Sequence, residues 1–67
     1  MKTLREIRLE NGKTLEEMAN IIGVTAPAYF NYENGIRKIP AERAVRLANY
    51  LGVKVGDIFL PSSFSVR

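Results

Sequence analysis

The stretch that decides the fold runs Thr14-Leu15-Glu16-Glu17-Met18-Ala19-Asn20-Ile21-Ile22-Gly23-Val24-Thr25-Ala26-Pro27-Ala28-Tyr29-Phe30-Asn31-Tyr32-Glu33-Asn34-Gly35. Thr14 and Glu17 have the spacing of a capping box, so a helix begins after Thr14. Met18, Ala19, Ile21 and Ile22 recur at helical spacing and form its inner stripe. Gly23 ends it, because glycine accepts the positive φ of a sharp turn. Val24-Thr25 is a short pause. Thr25 is a second N-cap, and Pro27 falls in the next first turn, where a missing N–H costs nothing. The spacing predicts a helix from Ala26 to Glu33, ended at Asn34-Gly35. Ala19 is small enough to admit a close neighbour. Met18, Ile22, Val24, Tyr29 and Tyr32 fall at offsets that face the crevice between the two helices.

Working outward, Thr3 and Glu6 repeat the capping box, and a first helix is predicted from about Lys2 to Asn11. Leu4, Ile7 and Arg8 share one of its faces, and Asn11-Gly12 offers a left-handed stop. Downstream, Ile36 to Ile39 is a basic connector. Pro40 opens a fourth helix that carries Ala44, Val45, Leu47, Ala48 and Leu51 inward and stops at Gly52. A short fifth helix is predicted over roughly Val55 to Leu60. No segment alternates with period two, so no strand is predicted. The expectation is an all-α fold of five short helices, with one domain over residues 1–60 and a tail over 61–67.

Composition narrows the function. Sixty-seven residues allow one domain, and 46% hydrophobic with 25% charged residues is a globular balance. Without Cys or His there is no disulfide framework, no zinc site and no His-based acid–base pair. No Ser, Thr or carboxylate has a plausible base partner, so neither an enzyme nor a cofactor is expected. The absence of Cys fits a cytoplasmic chain. No apolar run is long enough to span a membrane, and the charged start is no signal peptide. A net charge of +3 favours a polyanionic partner, nucleic acid first, although it also serves solubility.

Two short helices joined by a tight turn follow the helix-turn-helix plan, whose second helix projects outward and can lie in a DNA major groove. The chain from about Leu4 to Phe59 resembles the phage-repressor-like family, also called Xre or lambda-repressor-like proteins. The resemblance is carried by Leu4-Arg5-Glu6-Ile7-Arg8, Thr14-Leu15-Glu16-Glu17-Met18-Ala19 and Ile22-Gly23-Val24-Thr25. It continues through Tyr32-Glu33-Asn34-Gly35, then Leu47-Ala48, Leu51-Gly52-Val53 and Asp57-Ile58-Phe59. It implies a five-helix fold and sequence-specific binding of double-stranded DNA as a transcriptional regulator, a repressor, working as a homodimer. A chain whose whole length is the DNA-binding unit resembles a Cro-like switch. The chain departs from the family at Leu15, where members often carry a phosphate-contacting Gln. It departs again at Phe30, where members often carry a small polar residue.

In that register the base-contacting candidates are Ala26, Pro27, Ala28 and Asn31. Asn31 alone can pair bidentately with a base, most naturally adenine, unless it is an ordinary solvated residue; the others can only touch, for example, a thymine methyl. Phosphate candidates are Lys13, Thr14, Thr25, Asn34, Arg37, Lys38 and Arg43, with helix-ending the competing role for Asn34. The resemblance implies a partly buried ion pair between Arg8 and Glu33; the alternative is that both reach water. Ile58, Leu60 and Phe64 are candidates for a dimer interface. Phe30 is expected to be exposed, facing DNA, a dimer partner or another protein. The rival reading is a protein-interaction module that docks a partner on the apolar third helix.

Overall fold

Thr3 does what its spacing requires. In the computed structural model, which describes residues 2–59, its Oγ1 accepts the Glu6 N–H at 3.1 Å while Glu6 Oε1 accepts the Thr3 N–H at 2.8 Å. Helix α1, Leu4–Glu10, follows this cap. Thr14 and Glu17 make the same reciprocal pair, at 3.1 and 2.8 Å, ahead of α2, Leu15–Ile21. Thr25 Oγ1 accepts the Ala28 N–H at 3.3 Å ahead of α3, Ala26–Glu33, with Pro27 in its first turn. Each cap satisfies backbone N–H groups that a helix start leaves without an internal partner. Helix α4, Ala41–Leu51, begins just after Pro40, which stands as its N-cap in extended conformation rather than as its first residue.

Four α-helices are present among the described residues, not five. The segment predicted as a fifth helix is a single 3-10 turn, Val55–Asp57, followed by a strand, Ile58–Phe59. Gly56 and the β-branched Val55 and Ile58 are poor helix formers. The strand has somewhere better to go. Numbering the strand Lys2–Thr3 as β1 and Ile58–Phe59 as β2, the two pair in parallel, Lys2 opposite Ile58 and Thr3 opposite Phe59. Two residues are too few to show alternation, so sequence periodicity missed both strands. Leu60 and the tail 61–67 lie outside the described residues.

The core gathers one stripe from each helix. Leu4 and Ile7 come from α1, Met18 and Ala19 from α2 with Ile22 at its end, and Tyr29 and Tyr32 from α3. Ala44, Leu47, Ala48 and Leu51 of α4 close it at i, i+3, i+4 and i+7. Val45, expected inside, lies off that stripe and is 45% exposed. Ile39, read as part of a basic connector, is buried. Ile58 is buried too, so its side chain belongs to the chain's own core and not to a dimer interface. Pairing of β2 with β1 carries it there. Burying a side chain of this size stabilises by about 1.5–3 kcal/mol. No described helix is long and apolar enough to cross a membrane.

Candidate nucleic-acid interface

The turn between α2 and α3 closes by backbone geometry. Gly23 has φ +69°, and its N–H donates to Asn20 O at 3.3 Å while the Val24 N–H donates to Ala19 O at 3.0 Å. This pair of bonds satisfies the last carbonyls of α2 and turns the chain sharply. Only glycine takes that φ without strain. Ala19 is buried, and its small side chain leaves room for a close neighbour.

Tyr29, Tyr32 and Glu33 form the buried face of α3. Helical periodicity therefore puts Pro27, Phe30, Asn31 and Asn34 on the opposite face. Pro27, Phe30 and Asn34 are exposed and Asn31 is half-buried, as are Ala26 and Ala28.

One charged cluster anchors this helix. Arg8 Nε donates to Glu33 Oε2 at 2.7 Å and Arg8 Nη2 to Glu33 Oε1 at 3.1 Å. Tyr29 OH donates to Glu33 Oε2 at 2.8 Å, and Arg8 Nη1 to the Lys13 carbonyl at 3.0 Å. The ion-paired side chains are only 10% and 3% exposed. The alternative in which both charges reach water is ruled out. Burial pushes the Tyr29 phenol well above its ordinary range, and its bond to Glu33 adds to this. The hydrogen bond to Glu33 raises the Arg8 guanidinium further, against the opposing effect of burial. No buried side-chain N or O among the described residues lacks a partner.

The remaining candidates surround α3 in different states. Arg37 and Lys38 are exposed on the connector after it. Asn34 Nδ2 donates to the Phe30 carbonyl at 2.9 Å, so its helix-ending role is real. The Thr14 and Thr25 hydroxyls already accept N–H bonds as caps. Lys13 Nζ stands 5.1 Å from the Tyr50 ring centroid, which holds it against α4. Arg43 Nη1 donates to the Tyr32 hydroxyl at 2.9 Å, which ties the start of α4 to α3. Leu60 and Phe64 lie outside the described residues.

Arg5 was missed by the sequence reading. With Leu15, Phe30 and Asn34 it lines a groove of about 330 Å³, floored by Arg8 and Glu33, between α1, the start of α2 and α3. The available signal was its place one helical turn before Arg8.

The Helix-turn-helix family matches residues 4–58 of this chain, which is most of its length. The chain belongs to this Xre-like family. Among proteins similar to this helix-turn-helix chain is one of Methanothermobacter thermautotrophicus named "Putative HTH-type transcriptional regulatory protein". It is 36% identical over 61 residues, covering 87% of this chain and 20% of that protein. Another is the cryptic phage CTXphi transcriptional repressor RstR of Vibrio cholerae, 32% identical over 63 residues, covering 94% of this chain and 57% of the repressor. The chain thus spans a fifth of one relative and just over half of the other. No solved structure gives a significant match.

Proposed function

We propose that this Xre-like protein is a sequence-specific DNA-binding transcriptional regulator, a repressor, that lays α3 in the major groove. The observation that carries the reading is the chemistry of α3's outer side. Glu33 is the helix's only acid, and Arg8 holds it inside the fold. The face left outward carries no carboxylate to repel phosphates, and the connector after it exposes Arg37 and Lys38. The names of both relatives support a regulatory role, and that of the Vibrio cholerae relative supports repression.

On this reading Asn31 reads a base, while Ala26, Pro27 and Ala28 make apolar contacts in the groove. Lys13, Thr14, Thr25, Asn34, Arg37, Lys38 and Arg43 form the phosphate-contacting set, and Arg5 joins them. The protein works in the cytoplasm as a homodimer, because one recognition helix spans few base pairs. Two-fold dimers read half-sites about 34 Å apart.

Selection from random duplexes, followed by affinity measurements across salt concentrations, tests the reading. The expected result is one enriched site whose affinity falls steeply with salt. Sedimentation of the complex checks for two copies per duplex. Exposed Phe30 favours a second reading, in which α3 docks a partner protein. Failure to enrich any duplex would support that reading.

A further inference from the structure

The outward side of α3 is poor in hydrogen-bonding groups for a helix that reads DNA. Pro27 and Phe30 are exposed there, one turn apart, and Asn31 lies beside both. Phe30 is 46% exposed, whereas Tyr29 and Tyr32 on the same helix are buried in the core. Packing within the chain therefore accounts for the two tyrosines but not for the outward half of Phe30.

We infer that the protein recognises thymine by its 5-methyl group, with Phe30 and Pro27 packed against thymine methyls while Asn31 pairs with a neighbouring adenine. The inference rests on the DNA-binding reading above and narrows it to a class of site. In the major groove the base edges present donors and acceptors, and the thymine C5 methyl is the one apolar projection among the four ordinary bases. An apolar side chain has nothing else to read there. Asn31, with a donor NH2 group and an acceptor oxygen side by side on its amide, matches the adenine N7 and N6 edge.

The surroundings of Phe30 favour a polyanion over an apolar protein partner. Phe30 lines a groove shared with Leu15, Arg5 and Asn34. Leu15 adds apolar surface to the lining of that groove. Arg5 is exposed at the same groove, and Arg37 and Lys38 are exposed on the connector that follows α3. Cations thus stand close to an apolar reading face that carries no free carboxylate. A duplex presents that same arrangement in complement, phosphates flanking a groove with methyl groups in it.

The test removes the methyl alone. In a duplex selected by the protein, every thymine is replaced by deoxyuridine, which keeps each hydrogen-bonding group. Affinity should fall by about fourfold for each methyl buried, from the usual value of a buried carbon. Phe30→Ala should bind the thymine duplex more weakly and lose most of the preference for thymine over uracil. Its circular dichroism and melting are measured alongside, and if that variant unfolds, the uracil substitution still decides. Equal affinity for the two duplexes, at a site that is selected and salt-dependent, would overturn methyl reading while leaving DNA binding intact. A full thymine preference retained by folded Phe30→Ala would overturn the assignment to Phe30. If no duplex is selected at all, the DNA-binding reading fails, and this inference with it.

Discussion

Arg8 and Glu33 meet in a two-pronged ion pair across 25 residues of chain, at 2.7 and 3.1 Å, inside the fold. Planar guanidinium and planar carboxylate match in this geometry, which a lysine would not reproduce. The pair does two things at once. It pins the end of α3 to α1, and it removes the only negative charge of α3 from the outward surface. Tyr29 then uses the remaining capacity of Glu33 Oε2.

Removing either partner leaves the other charge buried without compensation. Arg8→Met or Glu33→Gln is expected to cost about 3 kcal/mol or more, read by urea denaturation. The double variant Arg8→Met/Glu33→Gln should lose less than the sum of the two. Simple additivity would show that the charges do not cooperate.

Stability should also decline in alkali through Tyr29. Its folded pKa is raised, so the folded state keeps the phenolic proton after the unfolded chain has released it. The stabilisation is complete below the unfolded value of about 10 and is lost as pH rises above it, by up to about 1.4 kcal/mol per pH unit. Tyr29→Phe should flatten this decline, although it gives up the hydrogen bond to Glu33. Denaturation midpoints at pH 9 and above compare the two proteins, and parallel curves would exclude Tyr29 as the source.

The cap of α2 gives a smaller and purely local effect. Thr14→Ala should destabilise by about 1 kcal/mol, because the Glu17 N–H loses its acceptor. Thr14→Ser keeps the hydroxyl and should restore most of the loss. Thermal melts of the three proteins suffice, and a serine variant as weak as the alanine one would place the effect elsewhere.

Base reading and phosphate gripping separate by their dependence on sequence and salt. Asn31→Ala should cost about 1–3 kcal/mol on the selected site and little on random duplex. Arg37→Ala and Lys38→Ala should weaken binding to every sequence, each lowering the salt slope by roughly one unit. Titrations at several salt concentrations measure both. An Asn31→Ala loss of equal size on random DNA would make Asn31 a positioning residue.

Features settled within three or four residues were legible from the chain alone. Thr14 with Glu17, Thr25 with Pro27, and glycine after each helix define α2, α3 and the turn between them. Cap bonds and left-handed stops need no distant partner. The inward stripe of α4 was legible for the same reason, from Ala44, Leu47, Ala48 and Leu51 at helical spacing. The Arg8–Glu33 pair came from family resemblance, since nothing local links two charges so far apart. The rest depended on contacts between distant segments of the fold. Ile58 and Phe59 became a strand because Lys2 and Thr3, at the other end of the described chain, offered their backbone groups. Ile39 is buried and Val45 exposed because burial depends on what lies opposite a side chain, not only on its hydrophobicity. Arg5 came to share a groove with Phe30 because the Arg8–Glu33 pair joins α1 to α3, a link between residues that no local pattern joins.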